Sequence, residues 1–327
     1  MLDTRAVPSV DASLLPVLPE VLERCRFEKL PPGCPPSMAS IHLAAVAALN
    51  YAYAERHVHR FRYVKSEDTP AGWTRAWNKV FYVANRSAAV KESAEPCEWL
   101  LIVDSDALVS ASTRNSLPKE IEMLASRYDV QHEATFFVAR EQAHKTHTPG
   151  ISWVNPGVMI VRPSQHSLQV TRAWQQIGAL AGHSATSAWP AEMGVLTEMM
   201  QPGLLESADS RFSNITTAVR TASQPGTPAG RGGELDLKRM QAAVATVNMS
   251  ELNGPWGAYV KHTFSDHYRA RLLGPALARD LGARFGEGSV WNATGQLLFE
   301  RALRGARQST ETFTPRLQEV AAEGGRS

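Results

Sequence analysis

Two carboxylates placed two residues apart, Asp104 and Asp106, stand directly after the apolar run Leu100-Leu-Ile-Val103. The run has the length and character of a sheet strand, so both acids emerge at a strand's carboxyl end. In an open α/β sheet that edge is where ligands bind. Carboxylates so placed can converge on one hard divalent cation and leave coordination positions for phosphate oxygens. An ion in that place would neutralise charge that develops on a nucleoside-diphosphate leaving group as its bond to a sugar breaks. Asp-x-Asp alone is common in loops, and the strand before it is what gives it weight.

The elements that must position these acids read as an alternation. Apolar residues at 41, 45, 48, 49 and 52 fall on one helix face, and Arg60 to Lys65 alternates as a short strand does. Trp73, Trp77, Val80, Phe81 and Ala84 return to helical spacing before the strand from Glu98 to Val103. Further on, helices are predicted over 117–127, 164–180, 190–200, 269–281 and 290–303, with strands over 134–139, 157–162 and 256–262. Such alternation predicts an α/β fold, a mostly parallel central sheet with helices on both faces. Residues 1–40 are Pro-rich and read as an extension, 41–306 as a single catalytic domain with a flexible loop at 221–233, and 307–327 as a polar tail.

Composition narrows the function classes. The 327 residues hold 34 Lys plus Arg against 32 Asp plus Glu, a net charge of +2, which gives no field that would gather nucleic acid or an anionic membrane. No apolar run approaches the roughly 18 residues of a membrane span. Met1 to Glu20 carries acids and prolines where an export signal has a basic and then an apolar segment, so no signal is legible there. The three cysteines, Cys25, Cys34 and Cys97, allow at most one disulfide and contain no Cys-x-x-Cys pair. Four of nine asparagines, Asn85, Asn214, Asn248 and Asn292, stand in Asn-x-Ser/Thr sequons, a hint of a secretory-pathway lumen set against coincidence or burial. Asn85 lies on a predicted helix, where it is expected to be inaccessible.

Taken in order, Trp77-Asn-Lys79, Glu98-Trp99, Leu100 to Val109 with its Asp-Ser-Asp, Asn155-Pro-Gly-Val-Met-Ile-Val-Arg162, Trp174 and a late histidine resemble glycosyltransferase family 34. Its members include fungal galactomannan galactosyltransferases and plant xyloglucan xylosyltransferases. The resemblance spans about Ile41 to Leu272 and rests on order and spacing. It implies a GT-A fold and retaining transfer of a hexose or pentose from a nucleotide-diphosphate sugar, UDP-linked before GDP-linked, to a glycan acceptor. It further implies Mn2+ (or Mg2+) held by Asp104, Asp106 and a late histidine, for which His262 is the best match, and a Golgi-type lumenal location. On the residues alone a core or surface histidine is the favoured reading of His262, and it is the resemblance that makes it a ligand.

The same resemblance assigns Ser105 and Gly157 to the cofactor site, Lys79 to a phosphate, and Asn155 to sugar hydroxyls, although Asn-Pro-Gly is also turn chemistry by itself. Glu192, in Trp189-Pro-Ala-Glu-Met-Gly194, stands where the family has an Asp-Gln pair, and His267 where it has a basic residue nearby. Glu192 would steady charge on the departing sugar or bond the acceptor; a carboxylate favoured by a helix amino end explains it as well. Trp73 and Trp77 read as packing residues. The first strand expected of the fold should precede Ile41, where only Pro-rich sequence stands. The departures at Glu192 and His267 favour one rival, a sugar-nucleotide- or glycan-binding relative without turnover; the strand that ends in Asp-x-Asp offers another, a haloacid-dehalogenase-type phosphatase with Asp104 as nucleophile.

Overall fold

The computed structural model describes residues 2–3, 6–25, 34–35, 37–67, 69–91, 97–130, 134–141, 151–188, 191–224, 237–254, 257–262, 274–286 and 290–315. His267, most of the loop expected at 221–233 and the tail beyond 315 lie outside the described residues. In chain order, strand β1 (Leu2–Asp3), helix α1 (Leu18–Arg24), helix α2 (Met38–Arg56) and strand β2 (Tyr63–Ser66) come first. Helix α3 (Asn78–Ala88) and strands β3 (Leu100–Val103) and β4 (Ala107–Val109) follow. Next are α4 (Leu117–Arg127), β5 (Phe136–Arg140), β6 (Val154–Val161), α5 (Gln165–Ala181), α6 (His183–Thr186) and α7 (Ala191–Met200). Then come α8 (Leu204–Ala208), α9 (Ser213–Ala222), α10 (Leu237–Ala243), β7 (Val244–Asn248) and α11 (Met249–Leu252). The last are β8 (Val260–His262), α12 (Gly274–Phe285), α13 (Ala293–Gln308) and β9 (Thr310–Phe313).

This mixed α/β chain divides into two compact units, one of Met1–Ser66, Ile102–Glu120 and Met249–Phe313, the other of Glu67–Leu101, Ile121–Asn248 and Thr314–Ser327. In the first, α2 is buried on every side along Met38 and Ile41 to Asn50. The single apolar stripe expected of it is therefore too narrow a reading: alanines at 44, 45, 47 and 48 are fully buried as well, and both α12 and α13 pack on this helix. Residues 12–25, read from sequence as lead-in, place Leu15, Leu18, Val21 and Leu22 in this core against α12. A Cys25–Cys34 disulfide closes the segment, leaving Cys97 exposed and free. The short β1 does precede α2, pairing parallel with β2, which pairs parallel with β9 on its other edge. β4 pairs antiparallel with β8.

The second unit is built on a sheet of order β3-β6-β5-β7. β5 runs antiparallel to β6 and parallel to β7, so this sheet is mixed where a mostly parallel one was expected. β6 is buried at every position, as a strand covered on both faces must be. By contrast β3 stands at the sheet's edge with Leu100 and Leu101 only half-buried, although its unbroken apolar run reads as a doubly covered strand. α3 packs on α5, and the ring of Trp77, the residue before α3, fills the space over Gly178 of α5: a Cβ there would meet Trp77 at 2.6 Å. Trp77 is fully buried and its indole donates to the Ala185 carbonyl at 2.9 Å, which confirms it as a packing residue.

Candidate metal centre

Between β3 and β4 the chain reverses in a turn closed by the Ala107 amide donating to the Asp104 carbonyl at 3.0 Å. Asp104, Ser105 and Asp106 are its exposed corner, all half-buried, while Ala107, Leu108 and Val109 behind them are buried. β4 is held on both edges. On one edge Ala107 stands opposite His262 in the β4–β8 register. On the other, the buried Asn50 of α2 imitates a neighbouring strand: its Nδ2 donates to the Ala107 carbonyl at 3.0 Å, and its Oδ1 accepts from the Val109 amide at 2.8 Å. One side chain thus satisfies two backbone groups that would otherwise be buried unpaired.

Successive residues of β8 face opposite ways, as in any strand. Lys261 reaches Asp280 of α12, its Nζ lying 2.8 and 2.7 Å from the two carboxylate oxygens. Burial pushes the Lys261 ammonium down from its ordinary pKa, and the Asp280 charge opposes that push. His262, itself 3% exposed, turns instead toward the acids, with Nε2 at 3.1 Å from Asp106 Oδ1. One ligand atom each from Asp104, Asp106 and His262 lies within 4.8 Å of the other two.

The ring of His262 is held from behind. Nδ1 lies 2.5 Å from the Oδ1 of Asn253, a side chain only 1% exposed. Asn253 is delivered by α11 and the turn after it, where the Asn253 amide donates to the Met249 carbonyl and the His262 amide donates to the Gly254 carbonyl. Gly254 is needed there, since a Cβ would sit 2.7 Å from the Met249 carbonyl oxygen. With Nδ1–H donating to the amide oxygen, Nε2 is the ring atom turned to the Asp106 carboxylate, and in the neutral ring it offers a lone pair there. The 3.1 Å between Nε2 and Asp106 Oδ1 suits a shared proton, donated by the imidazolium, and it suits equally a divalent cation bound by both atoms. Adjacent ligands of an octahedral ion with bonds of 2.0–2.1 Å are themselves about 3 Å apart. Two carboxylates and one oriented imidazole therefore fit a divalent ion and leave further positions for water or phosphate.

Of the other site residues singled out in the sequence, Lys79, Asn155, Gly157 and Glu192 belong to the second unit. Lys79 and Glu192 form a buried ion pair, Nζ to Oε1 3.4 Å, with 5% and 8% of their side chains exposed. The Glu192 carbonyl accepts from the indole of Trp174 at 2.8 Å. Ala191, the first residue of α7, is held at φ +45°, a region that disfavours a Cβ, immediately before Glu192. Asn155 donates from Nδ2 to Glu141 Oε1 at 2.7 Å and accepts at Oδ1 from the Gly157 amide at 2.9 Å. Strand pairing skips from Asn155 to Met159 at this point, so Asn155 and Gly157 form the turn that Asn-Pro-Gly predicts, set as an irregularity inside β6. Glu141, Asn50 and Asn253 escaped the sequence reading. Nothing flags a lone glutamate after a strand or an asparagine inside an alanine-rich helix; Asn253-Gly254 is a turn signal, but nothing in it points to His262.

No protein-family model matches the chain, and no curated protein matches it in sequence. Among solved structures it is similar to a glycosyltransferase involved in the glycosylation of the major capsid of PBCV-1, with a TM-score of 0.40 and 16% identity, over 73% of this chain and 94% of that one. A likeness of that degree assigns neither a fold family nor an activity.

Proposed function

We propose that this chain is a divalent-metal-dependent glycosyltransferase of GT-A type that moves a hexose or pentose from a nucleotide-diphosphate sugar, UDP-linked in the first instance, to a glycan acceptor with retention. The observation that carries the reading is the convergence of Asp104, Asp106 and His262 at the β3–β4 turn, with His262 Nε2 and Asp106 Oδ1 3.1 Å apart. The ordered motif set from Trp77 to Trp174 supplies the donor class. Mn2+, or Mg2+, bound by these three side chains would act as a Lewis acid on the diphosphate. Asp104 and Asp106 balance the cation's charge, Asn253 keeps the His262 lone pair toward it, and the Ser105 hydroxyl at the turn's corner donates to a phosphate oxygen. Retention on one face requires that the acceptor hydroxyl bond to the anomeric carbon as the carbon–phosphate oxygen bond breaks. The departing phosphate oxygen takes the hydroxyl proton.

Lys79, Asn155, Gly157 and Glu192 keep the roles that the family resemblance implies for them, with a condition on two. Lys79 would answer a phosphate only in exchange for Glu192, and Asn155 would bond a hydroxyl only on releasing Glu141 or the Gly157 amide. A lumenal, oxidising location is supported by the Cys25–Cys34 disulfide and by the sequon residues Asn85 and Asn214. Both asparagines are exposed, although Asn85 lies inside α3, so the expectation that its helix would hide it is corrected. No helix among the described residues is long and apolar enough to cross a membrane.

The reading is tested by supplying Mn2+ with UDP-galactose, UDP-xylose or UDP-glucose and a glycan acceptor, then following UDP release and the anomeric configuration of the product by NMR. Retained configuration, and a loss of at least ~100-fold in Asp106→Ala with its circular dichroism unchanged, is the expected result. Turnover that persists in EDTA or an inverted product contradicts it.

A further inference from the structure

An open cavity of about 330 Å3 in the first unit is lined by α2, α12 and α13, with Glu55, Arg56, Arg284, Phe285, Leu298 and Arg301 among its walls. The charges there do not cancel. Arg301 Nη2 is paired with Glu55 Oε1 at 2.9 Å, both side chains well exposed. Arg56 and Arg284 remain, and no carboxylate among the described residues lies within ion-pair distance of either. The nearest attractive acid, Asp280, is occupied by Lys261 at 2.7 Å and approached by Arg279 at 3.7 Å.

Arg284 donates from Nη2 to the Ser110 carbonyl at 3.2 Å, but its Nε and Nη1 are buried with no hydrogen-bond partner. Burial first, and then the Arg56 charge, push its pKa below the ordinary arginine value, against opposing contributions from Asp280 and Tyr53. A guanidinium with two of its three nitrogens unsatisfied, held beside a like charge, is costly, and native proteins seldom keep one without a use.

We infer that this cavity is a binding site for a tetrahedral oxyanion carried on a small molecule, a phosphate or sulfate ester, gripped by Arg56 and Arg284 with its organic part against Phe285 and Leu298. Planar guanidinium forks match two oxygens each, and the volume suits a group of monosaccharide size beside the anion. The inference is independent of the metal centre and of glycosyl transfer.

The full chain, kept in EDTA so that no divalent ion bridges the probe, is melted and titrated calorimetrically with inorganic phosphate and with sodium sulfate. Sodium chloride of equal ionic strength is the reference. Saturable binding that raises the melting temperature above the chloride value is expected, weakened at least ~tenfold by Arg56→Gln and retained by Asp106→Ala. Preference for phosphate or for sulfate then names the ester. Unliganded Arg56→Gln should melt no lower than the parent protein, because the substitution removes a repulsion. Arg284→Lys, which keeps the charge but loses the fork, should weaken phosphate binding as well. A response no greater than chloride's, or one unchanged in both arginine variants, overturns the inference. So does a lowered melting temperature in unliganded Arg56→Gln with the phosphate response intact, which would mark the arginine as structural.

Discussion

His262 can serve as a ligand because its other nitrogen is occupied. Asn253 Oδ1 lies at 2.5 Å from Nδ1, and partners of this kind commonly set ligand affinity by 10–100-fold. Asn253→Ala is accordingly expected to weaken Mn2+ binding about 10–100-fold, as read by Mn2+ electron paramagnetic resonance, with the thermal transition still cooperative. Unchanged affinity would mean that the imidazole is oriented by something else. At His42, on the buried face of α2, burial pushes the pKa down from 6.5 to about 4. The unfolded chain takes up that proton near pH 6.5 and the folded one only near pH 4, so stability is full above pH 6.5, falls as the pH drops toward 4, and is flat below. The loss expected across that window is about 3 kcal/mol, measured as the urea midpoint against pH, and His42→Leu should flatten it. At this scale the sequence disclosed the two acids of the candidate metal centre through the strand before them. It disclosed neither Asn253 nor Glu141, since a buried amide or carboxylate that serves another side chain leaves no spacing of its own.

Elements were legible where an apolar pattern ran long. The helix over 117–127 is found as read, and those expected over 164–180 and 190–200 shift by a residue or so to become α5 and α7. The short strand β4 was not anticipated, because three apolar residues after the Asp104–Asp106 turn are too few to read as a strand of their own. Asn50 then does from a helix what a neighbouring strand would do, a substitution that periodicity cannot reveal. At the α3–α5 crossing, Gly178 leaves room for the Trp77 ring, and a Cβ there would sit 2.6 Å from it. Gly to Ala inside an exposed helix would stabilise by about 1 kcal/mol. Here Gly178→Ala is expected to destabilise by ~1–3 kcal/mol, checked by chemical denaturation, and a gain in stability would show that the ring has room to move.

For the molecule as a whole, the near-balance of charge conceals a local imbalance. The net +2 is too small to attract polyanions, yet Arg56 and Arg284 stand uncompensated on one cavity wall while Asp104 and Asp106 gather at one turn. Composition averages both away, and only the fold, which brings α2 beside α12 and β4 beside β8, makes them visible. The division into two compact units was likewise hidden, because each is assembled from separate stretches of chain and no linker-like composition marks the crossings. The central claim is that Asp104, Asp106 and His262 hold a divalent ion on which a nucleoside diphosphate binds. Calorimetric titration of UDP into the protein with Mn2+ and then with EDTA, repeated with GDP, tests it most directly. Micromolar binding that requires the metal, favours UDP and vanishes in Asp106→Ala is the predicted result. Binding that is indifferent to EDTA, or no binding of either nucleotide by the folded protein, would contradict it.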